Sequence, residues 1–237
     1  MISIIIITKN EEKCLPRLLE SLKNQSFRDY ELIVSDANST DKTREIAESY
    51  GCRTVKGGRP ARGRNNGAKE AKNDLLLFLD ADVILPDKFL EENIKEFKER
   101  DLDCATAIYK PQGNKLADRF MYFFYNLWAR SMQYFFPHAA GLCIFCRKEV
   151  FDKAGGFNER LFIAEDHAFV NKANELDYKF RLLKSVPILS SVRRAEKDGR
   201  FKFAMKYIYA GIYRIFVKEI EKEIFEYDYG YDSKKDP

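Results

Sequence analysis

With 237 residues, 45% of them hydrophobic and 33% charged, the chain is long enough to bury a substantial core and has the composition of a folded protein. Its net charge of +4 is too small to indicate nucleic-acid binding. The sequence contains no run of about eighteen uncharged apolar residues, so it does not predict a membrane-spanning helix.

The five cysteines are an odd number and lie far apart, which argues against a framework of disulfides. The first residues, MISIIII, enter a strand directly and do not form a cleavable signal peptide, so we expect a reducing, cytoplasmic location. The CIFC segment (143–146) has redox or zinc spacing but lacks a second pair, and on a strand its two thiols would face opposite sides. We interpret it as core packing.

Strands and helices alternate along the chain. Apolar runs predict strands at 2–8, 31–35, 52–55, 75–79, 103–109 and 141–147, and two more at KFRLL (179–183) and VPILS (186–190). Helical spacing, caps and breakers predict helices at 15–22, from Ser39 or Thr40 to Gly51, after a loop within 59–72, from Pro86 to about Phe97, at 165–176 and at 200–227. This alternation indicates an α/β fold with a mostly parallel central sheet flanked by helices.

The segment 116–136 combines many Phe, Tyr and Trp residues with Asp118, Arg119 and Arg130. Such aromatic density is typical of helices at a membrane interface, whereas a helix that covers the sheet would also use it. We favour the helix that covers the sheet. The segment 201–220 suits an anionic membrane surface, core packing or dimerisation equally well, because basic residues recur among apolar ones at multiples of four: Lys202, Lys206, Arg214 and Lys218.

Polar residues follow three of the predicted strands, at the edge where ligands bind in open α/β sheets. Thr8 and Lys9 begin one such group, Asp36 follows the second strand, and Asp80 and Asp82 follow the strongest strand. Two carboxylates at i and i+2 offer hard oxygen ligands to Mg²⁺ or Mn²⁺, which would bridge two phosphates. The alternative is an exposed acidic turn. Between residues 53 and 72, seven basic residues suit phosphates or a solvated surface.

Several motifs occur in an order that resembles the family 2 glycosyltransferases, which have the GT-A fold and are typically inverting. The similarity covers about residues 1–195 and rests on IIIITKNEE, VSDANSTDKT, GRNNGAKEA, the D-x-D motif in LDADV, GGFNE and AEDHAF. It implies a nucleotide-sugar-binding half at 1–110 and an acceptor half at 111–195. A C-terminal amphipathic helix and acidic tail would then occupy 196–237.

The resemblance implies that the first loop and the acid after the second strand hold the donor nucleotide. Thr8, Asn10 and Glu11 would lie beside the ribose or base, and Asp36 would accept a hydrogen bond from a base N–H. Asp36 has an alternative role as an acid at a helix N-terminus. The family's usual proline and aromatic residue are replaced in this loop by Ile7, Thr8 and Lys9, which leaves the stacking of the base open.

The same resemblance makes Asp82 the direct ligand of Mn²⁺ or Mg²⁺ and places Asp80 on ribose or metal-bound water. Arg64, with Arg62 and Lys69 nearby, would contact the donor phosphates, since guanidinium groups match phosphate geometry. The metal would stabilise the charge that builds on the leaving diphosphate. This prediction accounts for two acids beside one apolar strand.

Glu165 and Asp166 match the family's E-D motif, in which the second acid commonly removes the acceptor's proton. We therefore predict Asp166 as the catalytic base and Glu165 as a possible contact to phosphate or acceptor; an acid favoured by a helix N-terminus is the alternative. Arg193 and Arg194 lie where processive relatives have Q-x-x-R-W, but the Gln and Trp are missing, which favours a single transfer. The resemblance still implies that these arginines contact the donor phosphates or the acceptor. The two histidines, 138 and 167, have no partner at metal-ligand spacing and are expected to be structural or acceptor-lining.

The predicted function is metal-dependent, inverting transfer of a sugar from a UDP- or GDP-linked donor to a hydroxyl of a saccharide or lipid-linked acceptor, with no nucleic-acid partner. Two alternatives are a polyprenyl-phosphate glycosyltransferase, whose ionised acceptor needs no base, and a non-catalytic nucleotide-sugar-binding or membrane-scaffold protein. The cytoplasmic protein would contact the membrane peripherally if the membrane interpretation of its helices holds. A nucleotidyltransferase is disfavoured because no Gly-rich loop follows the first strand.

Overall fold

The computed structural model describes residues 1–200 together with 202, 205, 206 and 209, and the strands among these form one eight-stranded sheet in the order β3-β2-β1-β4-β7-β6-β8-β5. The strands are β1 (Ile2–Thr8), β2 (Tyr30–Asp36), β3 (Arg53–Lys56), β4 (Leu75–Asp80), β5 (Val83–Ile84), β6 (Cys104–Pro111), β7 (Cys143–Arg147) and β8 (Phe180–Ser190). The helices are α1 (Leu15–Lys23), α2 (Thr43–Ser49), α3 (Pro60–Glu70), α4 (Phe89–Glu99), α5 (Leu116–Met132), α6 (Lys148–Ala154), α7 (Glu165–Glu175) and α8 (Arg193–Asp198).

The predicted α/β architecture with a mostly parallel sheet is confirmed. Strands β3, β2, β1 and β4 run parallel to one another, and β6 is parallel to β8. Strand β7 pairs antiparallel with β4 and β6, and β5 pairs antiparallel with β8. In this register Thr8 lies beside Asp36, and Ile7 lies beside Asp80. The carboxyl ends of β1, β2 and β4 therefore meet at one edge, and the polar residues that follow them share it.

Both faces of the sheet carry an apolar layer, as the uninterrupted apolar run of β1 predicts. Ile4 and Ile6 belong to one buried cluster and Ile5 to the other, because successive side chains on a strand point to opposite faces. Cys143 and Cys146 divide between the same two clusters, and both thiols are free and buried. The interpretation of CIFC as core packing is confirmed.

Three predicted boundaries are wrong. Helix α2 begins at Thr43 and not at Ser39 or Thr40, because Ser39 instead folds back onto Asp36 through its backbone N–H and its hydroxyl. Helix α3 begins at Pro60, whose fixed φ suits the first helical turn, so within 59–72 only Arg59 precedes the helix. Segments 179–183 and 186–190 are parts of one strand, β8, with an irregularity in its pairing to β6.

Helix α5 contacts the sheet at β6, as predicted for 116–136, but most of it is not buried as a core helix would be. Of α5, only Asp118 and Ala129 are fully buried. A single helix buries one face, and α5 carries more large apolar residues than its contact with β6 can cover. Its outer face exposes Leu116, Phe120, Phe123, Phe124, Leu127 and Trp128.

The predicted helix at 200–227 and the acidic tail lie mostly outside the described residues, as do Arg214 and Lys218. Within the described chain, Arg200 forms a two-fold ion pair with Asp118 at 2.7 Å and 2.9 Å, and Lys206 pairs with Asp198 at 2.8 Å. The predicted boundary at 195 falls inside α8, and the division into two halves stays a prediction. No helix among the residues the structure describes is long and apolar enough to cross a membrane.

Candidate active site

The carboxyl ends of β1 and β2 are joined by a buried hydrogen bond. Thr8 Oγ1 donates to Asp36 Oδ1 at 3.0 Å, and the backbone N–H of Ser39 donates to Asp36 Oδ2 at 3.0 Å. Because α2 begins only at Thr43, Asp36 lies ahead of the helix and does not act as its first-turn acid. The sequence-predicted donor residues Thr8 and Asp36 thus form one rigid pair at the sheet edge.

The loop after β1 is tied to the loop after β2. The backbone N–H of Asn10, which has a φ of 53°, donates to Ser39 Oγ at 2.8 Å, and Asn10 Oδ1 accepts from the Thr40 N–H at 2.9 Å. The N–H of Glu11 donates to Thr43 Oγ1 at 2.8 Å. These bonds turn the side chain of Glu11 inward, where it is buried.

Arg193 at the start of α8 reaches across this edge to two acids. Its Nη2 lies 3.1 Å from Glu11 Oε1 and 3.8 Å from Asp82 Oδ2. Burial raises the pKa of Glu11 to about 7 although Arg193 acts to lower it. Burial acts to lower the pKa of Arg193, but the charges of Glu11 and Asp82 outweigh it and raise that pKa. The sequence did not predict the contact between Arg193 and Glu11, because the two residues are far apart in the chain.

Asp82 is a mostly enclosed carboxylate between two arginines and a second acid. Burial raises its pKa, Arg194 and Arg193 act to lower it, and the charge of Asp80 raises it further. Its carbonyl oxygen accepts from Gln112 Nε2 at 2.7 Å, which holds the turn after β4. A small cleft opens beside it and is also lined by Cys14. The side chain of Asp82 is only 14% exposed, which argues against the alternative of an exposed acidic turn.

Arg64 of α3 connects two acids that are distant in sequence. It is 2% exposed, and its guanidinium donates to Glu165 Oε1 at 2.5 Å, Asp80 Oδ1 at 3.0 Å and the Gly141 carbonyl at 3.1 Å. It also lies over the ring of Phe157 at 5.4 Å. Burial works to lower the pKa of Arg64, and the two carboxylates reverse this effect and raise it. The predicted phosphate contact of Arg64 stays a prediction; the described side chain faces protein acceptors.

Glu165 and Asp166 open α7, behind Ala164, which has a left-handed φ of 64°. Asp166 Oδ2 accepts from the N–H of Gly141, and Asp166 Oδ1 accepts from the N–H of His167 at 2.7 Å. Burial raises the pKa of Glu165, and its bond to Arg64 opposes the rise. Both acids of the predicted E-D motif therefore lie at the site, with Asp166 held by two backbone donors.

The sequence did not predict that a group of aromatic and imidazole rings lies beside Asp166. The imidazoles of His138 and His167 stack with centroids 3.5 Å apart, and Trp128 meets His138 edge to face at 4.5 Å. His167 Nε2 lies 3.8 Å from Asp166 Oδ1. The density of aromatic residues in 116–136 was the available signal, but no local pattern reveals that α5 ends beside α7.

The acids after β4 fit a divalent cation of the kind predicted. Asp80 and Asp82 are two carboxylates close enough for the charge of one to raise the pKa of the other, a repulsion that a cation would relieve. Mg²⁺ and similar ions are commonly held by one or two carboxylates together with substrate phosphates. In the parts of the chain that the structure describes, no three acid, His or Cys side chains converge into a complete metal cage.

Comparison with known proteins relates this geometry to a known family. Residues 3–155 match the model of the family described as "Glycosyl transferase family 2". The chain is 41% identical over 102 residues to "4,4'-diaponeurosporenoate glycosyltransferase" of Staphylococcus haemolyticus (strain JCSC1435), a match that covers 39% of this chain and 27% of that protein. A second relative, "GalNAc(5)-diNAcBac-PP-undecaprenol beta-1,3-glucosyltransferase" of Campylobacter jejuni subsp. jejuni serotype O:2, is 33% identical over 91 residues, covering 34% of this chain and 29% of the relative. The matched region thus spans little more than a quarter of either relative.

A solved structure shares the fold at low sequence identity. The mannosyltransferase PcManGT from Pyrobaculum calidifontis, in complex with GDP-Man and Mn²⁺, has a TM-score of 0.72 and 19% identity, and the similarity covers 90% of this chain and 64% of that one. The predicted GT-A type of fold is therefore confirmed. At this identity the similarity shows the fold alone.

Proposed function

The chain belongs to glycosyl transferase family 2, and on that premise we propose that it transfers a sugar, with inversion, from a nucleotide-diphosphate donor to a hydroxyl acceptor. The observation that carries the proposal is the bridge formed by Arg64 between Asp80 and Glu165. This bridge brings the acids after β4 and the acids that open α7 into one site. The proposed transfer uses carboxylates at both places: Asp80 and Asp82 would hold a cation at the leaving diphosphate, and Asp166 would take the proton of the attacking hydroxyl.

The donor half of the proposal rests on the edge formed by β1, β2 and β4. Asp36 is buried and already accepts from Thr8 and Ser39, and it would use a remaining lone pair to accept a hydrogen bond from the base. Asn10 is linked to it through Ser39. Asp82 and Asp80 would hold Mn²⁺ or Mg²⁺ with the donor phosphates. When bound, the ion supplies charge stabilisation to the leaving diphosphate. Arg193 and Arg194 provide positive charge at the same place.

Asp166 is the proposed catalytic base. Two backbone N–H groups orient its carboxylate, so the acceptor hydroxyl meets a base in a fixed position. The backside attack of an inverting transfer requires this base on the face opposite the leaving group. Glu165 is a positioning residue in this scheme, because its carboxylate is occupied by Arg64.

A second candidate is transfer to a lipid-linked acceptor at the cytoplasmic surface of a membrane. It is favoured by the exposed aromatic face of α5 and by the undecaprenol in the name of one relative. If that acceptor is a polyprenyl phosphate, which is already ionised, Asp166→Asn would retain transfer. Loss of that transfer in a folded Asp166→Asn protein would show that the base is still needed, and a wild type that transfers no sugar to undecaprenyl phosphate would exclude the phosphate acceptor.

The test measures the binding of a panel of UDP- and GDP-sugars, with and without Mn²⁺, to the wild type and to Asp82→Asn. Thermal shift and calorimetry detect the binding. A ligand that binds the native state raises its apparent stability, so a donor is identified without knowledge of the acceptor. We expect metal-dependent binding of one donor that is lost in Asp82→Asn and kept in Asp74→Asn, an exposed acid at the opposite end of the same strand region. Binding that persists without turnover in any assay would favour a non-catalytic sugar-nucleotide-binding protein, and metal-independent binding would remove the cation from the proposal.

A further inference from the structure

The rings beside Asp166 form a surface with one open end. Trp128 is 43% exposed, whereas the His167 side chain behind it is only 13% exposed. Between them His138 contacts both, edge to face with Trp128 at 4.5 Å and stacked on His167 at 3.5 Å. Tyr125 supports the group from the side, 6.2 Å from Trp128 and 5.7 Å from His138. The open indole is thus held rigidly by packed rings.

This surface leads directly to the proposed base. His167 Nε2 lies 3.8 Å from Asp166 Oδ1, and the backbone N–H of His167 donates to the same oxygen. The series Trp128, His138, His167 and Asp166 therefore runs from solvent to the carboxylate without a break. A ligand that covers the indole would have its polar groups within reach of imidazoles and a carboxylate.

Resting on the proposed function, we propose that Trp128, His138 and His167 form the acceptor subsite and that it binds a pyranose ring of a saccharide. The face of an indole carries negative charge density, which attracts the C–H bonds on one face of a pyranose. The hydroxyl groups at the ring's edge need polar partners, which the imidazoles and Asp166 provide. An alkyl chain would contact the indole but would not use the imidazoles and the carboxylate beside it, so the chemistry favours a saccharide over an alkyl chain at this end of α5.

The sequence offers a direct probe, because Trp128 is the single tryptophan of the chain. Its emission, excited at the red edge of the indole band where tyrosine absorbs little, therefore reports on this surface alone. The probes are the methyl pyranosides of glucose, galactose, mannose and N-acetylglucosamine and the corresponding disaccharides, added to the full chain. The alditols glucitol and mannitol, which have no ring face, are the controls.

We expect at least one pyranoside to change the emission in a saturable way and to protect Trp128 from acrylamide quenching about twofold or more, while the alditols do neither. His138→Ala should abolish the effect. Pyranosides that have no effect up to their solubility limit, or alditols that act equally, would overturn the inference. A shift caused by phosphatidylcholine vesicles that contain undecaprenyl phosphate, without any saccharide effect, would overturn it in favour of a lipid surface.

Kinetics separate a binding role from a structural one. Trp128→Ala should raise the KM for the acceptor about tenfold or more and leave the KM for the donor unchanged, and Trp128→Phe, which keeps a ring, should recover most of the loss. Phe123→Ala is the matched control, because Phe123 is 60% exposed on the same helix and contacts Phe124 rather than His138. Equal losses in Trp128→Ala and Phe123→Ala would contradict the subsite. Donor binding without a saccharide effect refutes the subsite alone, whereas a saccharide effect without donor binding refutes the proposed function alone.

Discussion

The carboxylates of Asp80 and Glu165 accept hydrogen bonds from the same guanidinium group, that of Arg64, at 3.0 Å and 2.5 Å. One acid ends β4 and the other begins α7, so this arginine sets the distance between the donor and acceptor parts of the proposed site. The Arg64 side chain is 3% exposed, and both bonds form in surroundings where solvent screens them little. The site should therefore depend on the planar shape of the Arg64 guanidinium as well as on its positive charge.

Arg64→Lys is expected to lower kcat about 100-fold, since a displacement of about 1 Å at reacting groups has an effect of that order. Lysine keeps the charge but cannot bond two carboxylates and a carbonyl in the planar geometry of a guanidinium. We expect the free energy of unfolding to fall by about 1–3 kcal/mol because a buried acceptor loses its donor. Enzyme kinetics and chemical denaturation measure these effects. Arg62→Lys, at an exposed position of the same helix, should change neither quantity, and wild-type kcat in Arg64→Lys would refute the positioning role.

Asp166→Asn is expected to reduce kcat for transfer to a hydroxyl acceptor by about 10² to 10⁴, the usual contribution of a positioned general base. Donor binding should persist, since Asp166 lies on the acceptor side of Arg64. The measurement is single-turnover transfer together with calorimetric binding of the donor. Glu175→Gln, at the exposed other end of α7, is the control. An unchanged rate in Asp166→Asn would assign the base elsewhere.

The raised pKa of Glu11 predicts that the free energy of unfolding depends on pH. Burial raises its pKa from 4.5 to about 7, so the native state keeps a proton that the unfolded chain releases in this interval. The contribution of Glu11 to stability is therefore largest at low pH and declines as the pH rises from 4.5 to 7, by up to about 3 kcal/mol. Subtracting the unfolding free energy of Glu11→Gln from that of the wild type at each pH should reveal this decline.

Chemical denaturation across that interval provides the measurement for Glu11. Glu20→Gln, an exposed residue of α1, should give a difference from wild type that does not follow the same curve. A difference between wild type and Glu11→Gln that stays constant with pH would show that Glu11 is not titrating as its burial implies.

Gly141→Ala is expected to impair catalysis through two side chains at once. A Cβ at this position would collide with the guanidinium of Arg64 and approach Asp166 Oδ2 to 3.1 Å. Arg64 cannot move freely because three acceptors hold it, so we expect a decrease in kcat of about 10-fold or more with little change in donor binding. Gly113→Ala, where the nearest atom would be 3.5 Å away, is the matched control. Wild-type kcat in Gly141→Ala would show that the site tolerates a shifted Arg64.

Local patterns were sufficient for much of the fold. The β-branched run of β1, the leucine spacing of α1 and the apolar run of β4 carry their own structural preference, and the parallel pairing of β1 with β2 and β4 follows from the alternation with helices. Local patterns gave a wrong prediction where a contact with a neighbouring residue decides where a helix begins. Ser39 would cap a helix in isolation, but Asp36 provides a nearer partner, and α2 begins later.

The sequence alone determined where most of the strands lie along the chain and which residues stand at their carboxyl ends, because the periodicity of apolar residues and the polar residues after them are local properties. It thereby pointed to Thr8, Asp36, Asp80 and Asp82 as candidate site residues, and the family resemblance added Asp166 at the start of a helix. Only the tertiary structure decided which of them share a partner. The bridge through Arg64, the reach of Arg193 to Glu11 and the stacking of His138 on His167 join residues far apart in the chain. Such contacts depend on how elements pack, and a local pattern specifies which face is buried without specifying what covers it.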